Sequence, residues 1–131
     1  MEGRRATRDM NPAASRESEH DEFETNERCS ILEIWNVADD PDASIARATV
    51  DPGVTTQRHY LVGVDERLLV ASGSGIVDVE GVGPTPVGAG DVVVVPAETA
   101  QHVQNDTAEP LVFYCICSPR FTPECYRTVG S

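Results

Sequence analysis

The sequence predicts an all-β domain of the sandwich or barrel kind, and three observations carry that prediction. Its apolar runs are of strand length and rich in β-branched residues, Gly, Pro, Asn and Asp separate them at short intervals, and a helical period is almost nowhere found. Such chains stack two sheets or close one sheet on itself, because each strand has one apolar face to bury.

From Cys29 the elements follow in order. SILEIWNV is a mixed apolar run, ADDPDAS a turn and SIARATV a second strand, before Pro52-Gly53 breaks the chain. Alternation then puts His59 and Leu61 on one face and Arg58 and Tyr60 on the other. Gly63, Val64 and Asp65 turn into a strand whose Glu66, Leu68 and Val70 share a face. A hairpin through Ser72, Gly73, Ser74 and Gly75 is expected to lead into IVDVE, with Val77 and Val79 buried and Asp78 and Glu80 wet. Gly81 to Pro86 reads as a turn. VVVV, β-branched throughout and too short for a helix, reads as a central strand ended by Pro96. Gln101, Val103 and Asn105 alternate with His102 and Gln104, and Asn105-Asp106-Thr107 turns into the long strand PLVFYCICS. Thr122 followed by Pro123 has the order of an N-cap and a first helical position, enough for one helical turn.

Residues 1–28 differ in kind. They carry eight acids and five arginines with almost no periodic apolar residues, and are expected to form a disordered or loosely attached acidic tail in which His20 is solvated. The alternative is a domain-swapped arm of a dimer. Residues 29–131 are expected to form the one folded domain.

Charge and composition exclude several functions. With 22 acidic against 10 basic residues the formal charge is −12, which disfavours nucleic acid and anionic membranes as partners. Every basic residue is arginine, so Schiff-base chemistry and a lysine general base are ruled out. No apolar run approaches a membrane span, and the basic N-terminus has no apolar stretch behind it to make a secretory signal, so the expected location is cytoplasmic. Cys29, Cys115, Cys117 and Cys125 are then reduced, read as small buried hydrophobes, and lack the CxxC spacing of a zinc site.

One stretch, Asp51 to Gly73, holds the best-placed histidine and a glutamate seven residues on. Gly53, His59, Leu61, Glu66 and Gly73 stand at the spacing of a motif, and Gly90, Pro96, Glu98, Gln101 and Asn105 at that of a second. Together with the closing run LVFYCICSPRFTPECY, these resemble the two signatures of the cupin family. The resemblance implies a double-stranded β-helix, or jelly-roll barrel, with a pocket for a small organic substrate, and commonly a homodimer in which an open sheet edge is covered.

Cupins usually carry His, His, Glu and His where this chain has His59, Leu61, Glu66 and Gln101. The implied site residues are therefore His59, Glu66 and Gln101, with Leu61, Leu68 and Val103 lining the pocket. Leucine cannot coordinate and glutamine is a weak neutral ligand, so the expectation is no cofactor, or a weakly held divalent metal such as iron, nickel, zinc or manganese on His59, Glu66 and Gln101. His102 would join that set only if a bulge near Glu98 to Gln101 re-aimed it. Glu98 stands where the family has glycine. Asn105 reads as turn chemistry.

Without metal, a histidine and a glutamate in an apolar cavity form an acid/base pair suited to isomerisation, epimerisation, cyclisation or elimination, with Gln101 on a substrate carbonyl or enolate. The leading expectation is thus an isomerase, epimerase or cyclase. The alternatives are a metal-dependent oxygenase and a non-catalytic ligand-binding or sensory barrel in which His59 and Glu66 are a satisfied buried pair. A sugar-phosphate isomerase is not expected, for want of a phosphate clamp.

Overall fold

A computed structural model describes residues 10–130. Among the described residues eleven strands form two antiparallel sheets, in keeping with the alternating pattern. The first sheet holds β1 (Phe23–Glu24), β2 (Ser30–Trp35), β3 (Ser44–Val50), β10 (Leu111–Ser118), β5 (Asp65–Ser72) and β8 (Val92–Val95), side by side in that order. In the second, the order is β11 (Tyr126–Thr128), β4 (His59–Leu61), β9 (Gln101–Gln104), β6 (Ser74–Val79) and β7 (Gly83–Gly88). The inner faces meet as a jelly roll.

Val50, Leu68, Val70, Val77, Val79 and Leu111 belong to the larger apolar core. A smaller cluster of Leu61, Val64, Cys117 and Cys125 sits apart from it, with Phe121 and Tyr126 packed against it.

Several expectations need correction. VVVV is an edge strand, since β8 pairs only with β5, and Val92 and Val94 are exposed. Its composition signals a strand but not a neighbour on both sides. Ser72 to Gly75 is no hairpin: β5 and β6 lie in different sheets, and the chain crosses between them at Gly73. A Cβ on Gly73 would stand 2.3 Å from the Pro110 carbonyl oxygen, and one on Gly75 would stand 2.7 Å from that of Gln104, so the crossing is tight against β9 and the loop before β10. Gly81 to Pro86 is only partly a turn, because β7 begins at Gly83 and carries Pro84 and Pro86. It is the edge of its sheet, where a strand tolerates residues that cannot donate.

The region expected to hang loosely lies against the barrel over its described part, whereas residues 1–9 fall outside the described residues. β1 pairs with β2, the Ser15 hydroxyl donates to the Ile34 carbonyl at 2.6 Å, and Arg47 reaches Glu17, which also accepts from the Tyr114 hydroxyl at 3.2 Å. His20 is not simply solvated, its Nε2 lying 2.6 Å from the Ser15 hydroxyl. These contacts are polar, which is why a search for apolar period does not find them. At the C-terminus, Pro123–Cys125 forms the single 3₁₀ turn expected after Thr122.

Candidate active site

His59 and Gln101 face each other on the paired strands β4 and β9, and Glu66 stands on β5 of the opposite sheet. All three are buried and line one cavity of about 320 Å³, together with Leu61, Leu68 and Val103. The structure thus brings together all six residues that the sequence placed in the pocket.

Hydrogen bonding sets the tautomer of the imidazole. His59 Nδ1 lies 2.9 Å from the Gln57 carbonyl oxygen, which can only accept, so in the neutral ring Nδ1 carries the proton. Nε2 is left with a lone pair, 3.3 Å from Gln101 Nε2. The same amide nitrogen donates to Glu66 Oε1 at 3.4 Å, so Gln101 bridges base and acid, while its Oε1 is buried without a partner. Burial is the chief cause that pushes the Glu66 carboxyl above the ordinary carboxylate range; His59, and bonds from Cys115 and Gln101, oppose the rise.

Two residues that the sequence reading missed complete the site. Tyr126 on β11 stacks on His59 with ring centroids 4.6 Å apart, and its hydroxyl meets Glu27. Burial, followed by the Glu27 carboxylate, pushes that phenol up, so it stays protonated and donates. Glu27 Oε2 is also 3.8 Å from His59 Nδ1, placed to stabilise an imidazolium. Glu27 was hidden in a polar stretch without period; Tyr126 lay in the closing run but carried no role there.

The remaining candidates are structural. His102 points outward: its Nδ1 accepts from Arg58 at 3.1 Å and its Nε2 lies 3.9 Å from Asp78, with β4, β9 and β6 in regular register around it. Glu98 takes the left-handed φ of 61° for which glycine is usual, and is held there by its N–H on the Leu61 carbonyl at 2.8 Å and its carboxylate on the Gly63 N–H at 2.6 Å. Fully buried Asn105 donates to the carbonyls of Val50 and Glu109 and accepts from Thr107, which makes it a turn residue. Cys29, Cys115 and Cys117 line the cavity as thiols: burial above all pushes Cys29 up to about 12 and raises the other two well above their usual value.

Cupins often bind metals, and the fit here is poor. Leu61 brings no donor to the second ligand position, His102 is on the outer wall, and the Gln101 NH₂ already faces both the lone pair of His59 and Glu66. Among the described residues no three His, Cys, Asp or Glu side chains group as a metal site.

Comparison with known proteins agrees with this architecture. The family profile described as Cupin domain matches residues 46–117, and the chain belongs to the cupin family. Among solved structures it is similar to Streptomyces Pac13, described as a unique nucleoside dehydratase, with 23% identity over 91% of this chain and 92% of that one and a TM-score of 0.76. Variants of Pac13 were solved with uridine. KdgF from Halomonas sp. shares 19% identity over 87% of this chain and 99% of its own, with a TM-score of 0.75. CapF of Staphylococcus aureus, a capsular polysaccharide assembling protein, shares 17% over 86% of this chain and 34% of its own, with a TM-score of 0.70. No match was found among curated proteins. At these identities the likeness establishes the fold. No helix among the described residues is long and apolar enough to cross a membrane.

Proposed function

We propose that this cupin is an enzyme that moves a proton to and from carbon on a small organic molecule, in an isomerisation, epimerisation, cyclisation or elimination. The observation that carries this reading is the unprotonated Nε2 of His59 sharing one cavity with a carboxyl that burial shifts toward its protonated form. Two groups whose environments favour opposite protonation states are an acid/base assignment. His59 Nε2 takes the proton from carbon, and the C–H electron pair moves into the adjoining carbonyl or expels a leaving group. Glu66 returns a proton to carbon or delivers one to the departing oxygen. Gln101 turns its amide toward the developing oxyanion, and Glu27 stabilises the imidazolium at Nδ1.

That Pac13 is described as a dehydratase supports the class, since loss of water needs the same pair of groups. A second reading, a ligand-binding or sensory barrel without turnover, is favoured by Gln101, whose amide satisfies His59 and Glu66 together as in an inert buried pair. A homodimer belongs to the same proposal, because the open edge β8 presents Val92 and Val94 to solvent; sedimentation of a monomer at all concentrations removes it. Four free thiols suit a reducing, cytoplasmic setting.

The experiment is incubation of the full chain in deuterated water with a panel of nucleosides, sugars and carbonyl compounds, followed by mass spectrometry. Deuterium incorporation or loss of water that depends on both His59 and Glu66 is expected. Ligands that bind yet never exchange a proton or form a product would overturn the enzyme reading in favour of the binding barrel.

A further inference from the structure

The charge pattern of the cavity says more than acid–base chemistry requires. Its wall carries the carboxylates of Glu27 and Glu33 beside the buried Glu66 carboxyl, and no arginine among the described residues. Two arginines have charges that reach the site, Arg28 at Tyr126 and Arg67 at Cys117. Neither lines it, because their guanidinium groups donate to the Thr55 carbonyl at 2.7 Å and to the Ser118 hydroxyl at 3.1 Å. An anion entering this space would lose its hydration and meet like charges without a counter-ion.

A second observation, independent of charge, points the same way. Gln101 is only 4% exposed, and its Oε1, an acceptor, has no partner. Several donors on the wall are already engaged: the Gln101 amide N–H groups on His59 and Glu66, the Tyr126 hydroxyl on Glu27, and the Thr25 hydroxyl on the Cys29 carbonyl at 2.8 Å. The open acceptor, Gln101 Oε1, calls for a donor on the ligand. Phe113, Phe121 and the stacked Tyr126 and His59 rings add flat apolar surface, and about 320 Å³ is room for one small molecule.

We propose that the cavity selects a small, ring-bearing ligand rich in O–H and N–H donors and free of negative charge, and that Glu27 and Glu33 exclude phosphates and free acids from it. This names the substrate class for the site of the proposed reaction and rests on the same cavity, but it does not depend on turnover. Donor-rich uncharged molecules such as nucleosides and polyols fit it, as do small amines. A sugar phosphate does not.

The test is ligand binding by the full chain followed by NMR, with ring compounds in matched sets that differ only in charge: alcohol, amine and carboxylate on one scaffold, and uridine beside uridine 5′-monophosphate. The uncharged or amine member is expected to bind at least about tenfold more tightly than its anionic partner and to shift the His59 ring resonances. Combining Glu27→Gln with Glu33→Gln should narrow that ratio. A better amine than alcohol identifies a cationic ligand, and the reverse an uncharged one. An anion that binds as tightly as its uncharged partner overturns the proposal, and so does a panel in which nothing at millimolar concentration shifts the His59 signals. Uncharged ligands that bind without proton exchange would sink the reaction alone; proton exchange on a phosphate or acid would sink the charge selection alone.

Discussion

His59 and His102 stand on neighbouring strands, and Gln101, which is paired with His59, immediately precedes His102 in the chain. One residue separates two chemistries. His102 faces water beside Arg58 and Asp78, opposite charges that compensate one another in a high dielectric and are worth little to the fold. His59 faces the hollow, where its partners are a carbonyl, an amide and a carboxyl whose pKa burial raises. There, where solvent screens little, each proton counts. The residue type does not distinguish the two histidines; the side of the sheet does.

The sharpest way to break this contrast is to remove each histidine in turn. His59→Gln is expected to lower proton exchange by about 10²–10⁴-fold, the usual worth of a general base, whereas His102→Gln leaves it within about twofold. Equal losses measured by deuterium incorporation would abolish the distinction between inner and outer face. Next in size is the metal question. Leu61→His combined with Gln101→His restores ligands on the inner face and should raise zinc or nickel affinity more than about 100-fold over wild type, since even outer-shell partners are worth about 10–100-fold. Calorimetry showing equally tight metal in the wild type would mean that the present donors already suffice.

Carboxylates sharpen the comparison further. Glu27→Gln should cut exchange by about tenfold while circular dichroism stays unchanged, and the outer counterpart Asp78→Asn should cost nothing measurable. The smallest expected effect is on stability. Because the folded Glu66 carboxyl titrates above its unfolded value, protonated Glu66 contributes stability that is fully present below about pH 4.3 and lost as pH rises through the higher folded pKa. Glu66→Gln has no such loss, so its Tm relative to wild type should climb with pH from about 4 toward neutral. A gap in Tm that stays constant over that range would show that burial does not raise this carboxyl.

Much of the inner wall was legible without coordinates. Strand alternation put His59 with Leu61, Glu66 with Leu68 and Gln101 with Val103 on shared faces, because a side chain's parity along a strand is local information, and the resemblance to cupins implied that those faces meet. Glu27 and Tyr126 were not legible. Glu27 lies in a polar stretch whose docking runs through hydrogen bonds and an edge strand, and Tyr126 reaches His59 only because β11 pairs with β4. The four valines of β8 show the same limit: their β-branching predicts a strand, but whether a second strand lies beside it depends on distant chain.

By itself, then, the sequence determined that this chain forms strands and which residues share a face, since those follow from φ/ψ preference and a period of two. Only the tertiary structure decided which strands become neighbours, which edges stay open and which side chains from residue 27 to residue 126 surround one imidazole. Those depend on contacts between residues far apart in the chain, for which no local rule carries information.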